Sequence, residues 1–314
     1  MQNPQAKSPP LPKPSWLKVR APGGENFKKI KSDLERHKLH TVCEEARCPN
    51  IGECWSGGTA TFMLLGDVCT RGCKFCEVTT GNPKMQLDPH EPEKIAQTIS
   101  GMDLKYIVLT SVDRDDLPDQ GAAHFAKTVR LIKLAKKNIL VETLTPDWRG
   151  EESCIEIMAN APVDVLAHNI ETVERLQLRV RDPRATYQQS MDVLLKYKRF
   201  AEKNDRSVVT KSSIMLGLGE TESEVLKTFQ DLLDIGVEVM TLGQYLQPSP
   251  RRLPVEEFIR PEQFSFYAKI GEEMGFKYVA SGPLVRSSYR AGEYFIEKIL
   301  TGKKSSGELL GPMV

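Results

Sequence analysis

The 314 residues carry 43 Lys plus Arg against 42 Asp plus Glu, a formal charge of +1, so no chain-wide field selects nucleic acid or an anionic membrane. A hydrophobic fraction of 40% is enough to bury a substantial core, and no run approaches the ~20 apolar residues that span a bilayer. With no secretory signal pattern either, a cytoplasmic, reducing location is expected, where the seven cysteines serve as thiols or ligands and not as a disulfide framework.

Residues 1–15 carry Pro4, Pro9, Pro10, Pro12 and Pro14 and read as a disordered leader. That leader has lysines but no arginine before Arg20, a poor match to an Arg-rich transit peptide. Residues 16–58 form an N-terminal extension, in which Phe27, Ile30 and Leu34 make one helical stripe over 26–37. From 59 to 280, apolar β-type runs alternate with amphipathic ones. Strands are predicted at 61–65, 106–110, 139–143, 163–167, 208–215 and 237–242. Helices are predicted at 93–100, 122–137, 151–159, 172–178, 185–204, 222–235 and 262–274. Thr221 to Glu224 has the spacing of a capping box, and Pro261 suits a first helical turn. Residues 281–314 form a C-terminal extension.

Six strand-then-helix units in succession imply an α/β fold with a parallel sheet, because right-handed helical crossovers are what this spacing permits. A curled, partial (β/α) barrel is favoured over a flat doubly wound sheet. In either, polar residues beyond the strand C-termini line the reactive face. Cys69 to Cys76, Ser111 to Asp116, Glu142, His168, Asn169, Gly217, Gly219 and Gln244 are thereby expected around one mouth.

Cys69-x3-Cys73-x2-Cys76 lies in the loop after the first predicted strand. Three thiolates can hold three irons of a [4Fe-4S] cube and leave the fourth open. Zinc would want a fourth ligand of matching spacing, which is missing. Upstream, Cys43-x4-Cys48-x5-Cys54 is a second metal or cluster candidate, with buried core thiols as the plain alternative. His40 is left out as a solvated side chain. Cys154 sits on a core-facing helical pattern and reads as a buried thiol without a role.

The triplet Cys69, Cys73, Cys76, with Phe75 beside the last cysteine, resembles the signature of radical S-adenosylmethionine enzymes. The two triplets in this order, fifteen residues apart, resemble the lipoyl synthase family within them. The likeness continues through Ala60 to Gly66, Thr110 to Leu117, His168 to Thr172, Lys211 to Glu220 and Arg286-Ser287-Ser288-Tyr289, and covers nearly all of 16–292. The resemblance implies a radical-SAM-type barrel, two [4Fe-4S] clusters and S-adenosyl-L-methionine. It implies an open iron that chelates the methionine moiety, and an auxiliary cluster on Cys43, Cys48 and Cys54 that is consumed as the sulfur donor. By the same resemblance Ser288 is the auxiliary cluster's fourth ligand, with Ser287 less favoured; read alone, the serine pair would be a helix N-cap. The implied reaction is insertion of two sulfur atoms at C6 and C8 of a protein-bound octanoyl-lysine, forming the lipoyl group. Implied partners are octanoylated lipoyl-domain carriers or glycine-cleavage H protein, a ferredoxin- or flavodoxin-type electron donor and iron-sulfur assembly proteins.

Phe75, Ser111, Asp113, Glu142, Asn169, Glu171, Lys211, Gly217 and Arg286 are further candidates for cofactor or substrate contacts. Asp113 could orient the methionine amino group, Asn169 and Glu171 a ribose, and the Gly217-Leu218-Gly219 backbone an adenine. Solvated charged turns and plain loops explain several of them as well. Competing functions are a methylthiotransferase-like sulfur transfer and a non-catalytic iron-sulfur carrier. The first usually needs added domains, and few residues follow Tyr289; the second needs no open iron.

Overall fold

The computed structural model describes residues 12–18, 23–37, 40–45, 48, 50–56, 61–102, 104 and 106–288. Most of the expected leader and the segment 289–314 lie outside these residues. Among those described, no helix is long and apolar enough to cross a membrane.

The N-terminal extension contains α1 (Glu25–His37), β1 (His40–Thr41), α2 (Val42–Glu45) and α3 (Ile51–Ser56). Phe27 and Trp55 stack α1 on α3 with ring centroids 5.0 Å apart. Next come β2 (Thr61–Leu64) and two short strands, β3 (Val68–Cys69) and β4 (Thr79–Thr80), which pair with each other and bracket the second cysteine triplet. The alternating part follows: α4 (Glu91–Ser100), β5 (Tyr106–Ser111), α5 (Ala122–Ala135), β6 (Leu140–Leu144), α6 (Glu152–Ala159) and β7 (Val165–Ala167). After these are α7 (Gln177–Val180), α8 (Tyr187–Lys203), β8 (Val209–Leu216), α9 (Glu222–Asp234), β9 (Val239–Gln244), α10 (Pro261–Met274) and β10 (Tyr278–Gly282).

The main sheet runs β1-β2-β5-β6-β7-β8-β9-β10, with every neighbour parallel except the antiparallel edge pair β1-β2. It is the curled α/β sheet expected, with seven parallel strands where six were predicted. The seventh, β10, ends in Ala280, Ser281 and Gly282, small residues with little strand propensity of their own. Its five-residue register with β9 makes it a strand. The helix predicted at 172–178 is also corrected: a single 3-10 turn at Glu174–Leu176 leads into the four residues of α7. Asp182-Pro183 stops the helix, since the residue before proline avoids helical backbone.

Alternation along the strands sorts the core. Phe62, Leu64, Ile107, Leu109 and Val141 face outward against Ile95, Ile99, Phe125 and Val129 of α4 and α5. Ile214, Leu216, Met240 and Leu242 pack under α9 and α10, where Phe229 is fully buried edge-on to Phe276 at 5.4 Å. Cutting such a ring to alanine costs about 3–5 kcal/mol. Tyr106, Val108, Val165, Val209 and Val239 pack the inner face, which leaves the open end above them for the site's polar residues. The predicted capping box forms: Thr221 Oγ1 accepts from Glu224 N at 3.4 Å, and Thr221 N donates to Glu224 Oε2 at 2.8 Å.

Candidate active site

The loop from Thr70 to Cys76 leaves β3 at the C-terminal end of the sheet and is tied down on all sides. Thr70 N donates to Asp113 O at 2.9 Å, Gly72 N to Asp182 Oδ2 at 2.8 Å, and Lys74 N to Val180 O at 2.9 Å. Leu253 N returns a bond to Lys74 O at 3.2 Å. This backbone lattice holds the three thiols in a fixed arc. Two of them already receive backbone N–H groups, Cys69 Sγ from Arg71 and Cys73 Sγ from Asp182, both at 3.4 Å.

Beneath the arc lies a buried charge cluster. Arg71, between the first two cysteines, forks onto both oxygens of Asp115 at 3.0 Å and reaches Asp147 at 2.5 Å and Asp113 at 3.4 Å. Arg184 joins Asp115 at 3.0 Å to Asp182 at 2.8 Å and donates to Thr70 O at 2.8 Å. Each carboxylate therefore has a cation, which is the condition for keeping ionised groups out of water.

Burial pushes the Cys69 and Cys73 thiols up to about 12, with Asp113 adding to both. Cys76 is raised by burial, with Glu171 adding and Arg252 opposing. Neutral thiols are thus preferred until a cation arrives. The iron of a cluster is such a cation, and the site's backbone N–H donors and free cysteines fit it. No three His, Cys, Asp or Glu side chains among the described residues converge on one metal ion. A cube gives each thiolate its own iron, and three free thiols on one short loop are a donor set it can use.

Asp113 and Glu171 both face this arc. Burial raises the Asp113 carboxyl to about 6 against the pull of Arg71, and burial also raises Glu171 against Arg181. Glu171 sits at φ 66°, and its backbone bonds to Ser213 and Met215 hold it at the open end of β8. Asn169 Nδ2 donates to Glu171 Oε1 at 3.2 Å. Ser111, at the last position of β5, has a buried hydroxyl with no partner among the described residues. Phe75 is half-buried and packs on the cluster beneath α9 and α10.

Three expected mouth residues, Glu142, His168 and Gly217, and the candidate contact Lys211 are used elsewhere. Glu142 and Lys211 bond each other at 2.7 and 2.9 Å inside the sheet, with Tyr106 OH on Glu142 at 2.5 Å, in the layer of the valine plug. Each is the third residue of its strand, short of the strand end where the alternating pattern was read to finish. Gly217 offers no bare backbone to a ligand. Its N–H is taken by Glu220 at 2.5 Å and its carbonyl by Glu256 at 2.9 Å. A Cβ there would lie 2.2 Å from Gln244 Nε2, so the glycine, at φ +95°, serves chain packing. His168 is buried between Thr145 O and Ser190 Oγ, both at 2.9 Å.

The first triplet is folded by its own backbone: Cys48 N donates to Cys43 O at 3.0 Å and Cys54 N to Asn50 O at 2.9 Å. Cys43 is buried and raised to about 11 by that burial and by Cys48. Asn50 Nδ2 donates to Leu284 O at 2.6 Å, tying this segment to the turn after β10, 234 residues away. Ser287 and Ser288 are half-buried in that turn. Arg286 of the same turn is half-buried, with its Nη2 enclosed, and feels the charges of Cys48 and Cys54. Cys154 is buried in α6 and donates to Asp119 O at 3.4 Å.

Sequence reading missed Asp147, Arg181, Asp182 and Arg184. A buried arginine inside a cysteine motif was the available signal, since Arg71 requires carboxylates from other strand ends. Nothing local marks Asp182 as their supplier.

A parallel (β/α) sheet carrying a Cys-x3-Cys-x2-Cys loop and facing carboxylates at its C-terminal end defines a radical S-adenosylmethionine enzyme. A model of the radical SAM superfamily matches residues 63–232, and one of the N-terminal domain of lipoyl synthase of that family matches 2–48. Lipoyl synthase, mitochondrial, of Arabidopsis thaliana is 52% identical over 311 residues, 98% of this chain and 82% of its own. That of Danio rerio is 56% identical over 297 residues, 93% and 73% of the two chains. The chain belongs to the lipoyl synthase family. It is a sulfur-inserting radical enzyme with [4Fe-4S] clusters and S-adenosylmethionine as cofactors. Among solved structures, Streptococcus suis SuiB bound to precursor peptide SuiA shares the fold at 8% identity, with TM-score 0.54 over 81% of this chain and 52% of its own. The expected cytoplasmic location is corrected by the relatives, which are named as mitochondrial. Reduced cysteines report a redox state, and the cytosol is not the only reducing compartment.

Proposed function

We propose that this chain converts octanoyl groups on the lysines of lipoyl-domain or H-type carrier proteins into lipoyl groups, by inserting sulfur at C6 and C8. The observation that carries the reading is the Asn50-Leu284 hydrogen bond, 2.6 Å long, which joins the first triplet's segment to the serine-bearing turn at the sheet's open end. In this reading Cys69, Cys73 and Cys76 hold the cofactor cluster, and Cys43, Cys48, Cys54 and Ser288 hold the cluster that is the sulfur substrate. When bound, the cofactor cluster with S-adenosylmethionine supplies reductive C–S cleavage and a hydrogen-abstracting radical.

The chain's residues orient and exclude. Asp113 and Glu171 flank the arc as acceptors for the amino and hydroxyl groups of S-adenosylmethionine, with Ser111 and Asn169 beside them. Buried Arg181 opposes the rise of both carboxyls and so favours their accepting form. The packed layer of valines, with the Glu142–Lys211 pair buried in it, fills the sheet's lower end, so a substrate chain approaches from the open end and water is kept from the reacting carbon. The four parts read as a Pro-rich leader to 15, the auxiliary segment to 58, the barrel to 280 and the C-terminal extension beyond. Ferredoxin- or flavodoxin-type reductants and iron-sulfur assembly proteins are its further partners.

The test is mass spectrometry of an octanoyl-lysine peptide incubated anaerobically with reduced, reconstituted enzyme and S-adenosylmethionine. Gain of two sulfurs as the dithiol, followed by loss of two hydrogens when the sample is oxidised in air to the cyclic disulfide, supports the reading. A methylthio product, or no sulfur, defeats it.

A further inference from the structure

Arg286 lies in the turn after β10, and its guanidinium is only half used. Nη1 donates to Val285 O at 2.7 Å and reaches Gln244 O and Pro283 O at 3.4 Å. Nη2 is buried and has no acceptor among the described residues. An unsatisfied N–H on a buried cation is one of the costlier features a fold can keep, and it marks a place where an acceptor is bound. Asn50, between Cys48 and Cys54, is bonded to Leu284 O of this turn at 2.6 Å, and these two cysteines are the groups whose charge favours the Arg286 cation. Its position is built, not accidental. Gly243 makes room for it, since a Cβ there would meet Val285 O at 2.0 Å and Arg286 Nη1 at 3.3 Å.

We infer that Arg286 is a positioning residue for the auxiliary cluster, its Nη2 donating to a thiolate or sulfide sulfur of the group held by Cys43, Cys48 and Cys54. The inference rests on the cluster assignment proposed above and extends it to a second shell. An oxidised [4Fe-4S] core with three thiolates and one alkoxide carries a net charge of about −2, and burying it needs a nearby cation. Arg286 is the cation provided, fixed on one nitrogen by backbone carbonyls and open on the other. A hydrogen bond to sulfur together with a positive charge raises a cluster's potential and slows loss of its iron. The role is distinct from that of Ser288, which would bind iron directly.

The test uses the full-length chain carrying Cys69→Ala, Cys73→Ala and Cys76→Ala, so that only the first triplet can take up a cluster. It is reconstituted anaerobically with iron and sulfide, with Arg286, R286K or R286Q. Iron content, the midpoint potential by EPR-monitored titration and the rate of iron loss to a chelator are measured. R286Q is expected to shift the potential negative and to lose iron about tenfold faster. R286K keeps the charge, so its potential stays nearer the parent's while its iron loss is still faster, because an ammonium cannot hold the turn and the cluster at once. R286Q with the parent's potential and loss rate overturns the inference. Should R286Q fail to fold by circular dichroism, R286K decides, and the parent's loss rate in R286K overturns it equally. If the protein with Arg286 intact binds no iron, the auxiliary cluster itself is wrong and the inference falls with it.

Discussion

Arg71 Nη1 donates to Asp147 Oδ2 at 2.5 Å, joining the loop between the first two cysteines of the second triplet to the turn that follows β6. The same guanidinium serves Asp115 and Asp113, so one side chain fixes the ends of two strands, β5 and β6, around one loop.

Arg71→Ala would take the shared cation from Asp113 and Asp147 and leave Asp115 with Arg184 alone. Breaking a buried pair of this kind costs about 3–5 kcal/mol, to be read as a lower urea midpoint of the apoprotein. Production of 5'-deoxyadenosine should fall with it. Arg71→Lys should recover little, because a point charge cannot fork onto Asp115 and still reach Asp147.

The two triplets should separate under mutation. Cys73→Ala should abolish reductive cleavage of S-adenosylmethionine. Cys43→Ala should spare cleavage but stop sulfur insertion, and lipoyl product from it would remove the donor role from the first triplet. Wild type should hold about eight irons and each variant about four.

Gly243→Ala tests whether the C-terminal turn completes the auxiliary site. The added Cβ would sit 2.0 Å from Val285 O, so the turn bearing Arg286 and Ser288 must move. Iron should drop toward about four per chain with cleavage of S-adenosylmethionine retained. Eight irons together with full sulfur insertion would show that the turn is not needed there.

Lys211→Met removes the cation from Glu142 inside the sheet, where the two side chains are 3% and 1% exposed. Urea unfolding should register a loss of about 3–5 kcal/mol. Adding Glu142→Gln should return part of it, because no lone charge then remains. A single variant as stable as the double would contradict the pairing.

His168 supplies a pH dependence. Burial, with Arg181 adding, lowers its pKa to about 4 from an ordinary 6.5. The unfolded chain therefore binds the extra proton first as pH falls. The stabilisation is complete above pH ~6.5 and is lost progressively down to pH ~4, by about 2 kcal/mol between pH 7 and 5. The apoprotein's urea midpoint should follow that slope, and His168→Gln should flatten it.

How far the sequence could be read depended on whether a feature was local. The parallel α/β plan was legible because helical and strand periods alternate along the chain, and Thr221 with Glu224 announced its cap by spacing alone. Cysteine spacing likewise disclosed both triplets. The failures were positional. Glu142, expected at the mouth, and Lys211, a candidate contact, are each other's partner inside the sheet. Gly217 was read as backbone for a ligand and proved to be filled by Gln244. β10 went unseen because pairing with β9, and not its own composition, makes it a strand.

By itself, then, the sequence determined the order of elements, the two cysteine triplets and the class of chemistry they permit, since each depends on residues within a few positions of one another. Only the tertiary structure decided which carboxylates hold Arg71, which polar side chains are spent on one another, and that the Arg286 turn lies against Cys48 and Cys54 across more than 200 residues. Such contacts arise from sheet curvature and burial, which bring together groups that no local pattern connects.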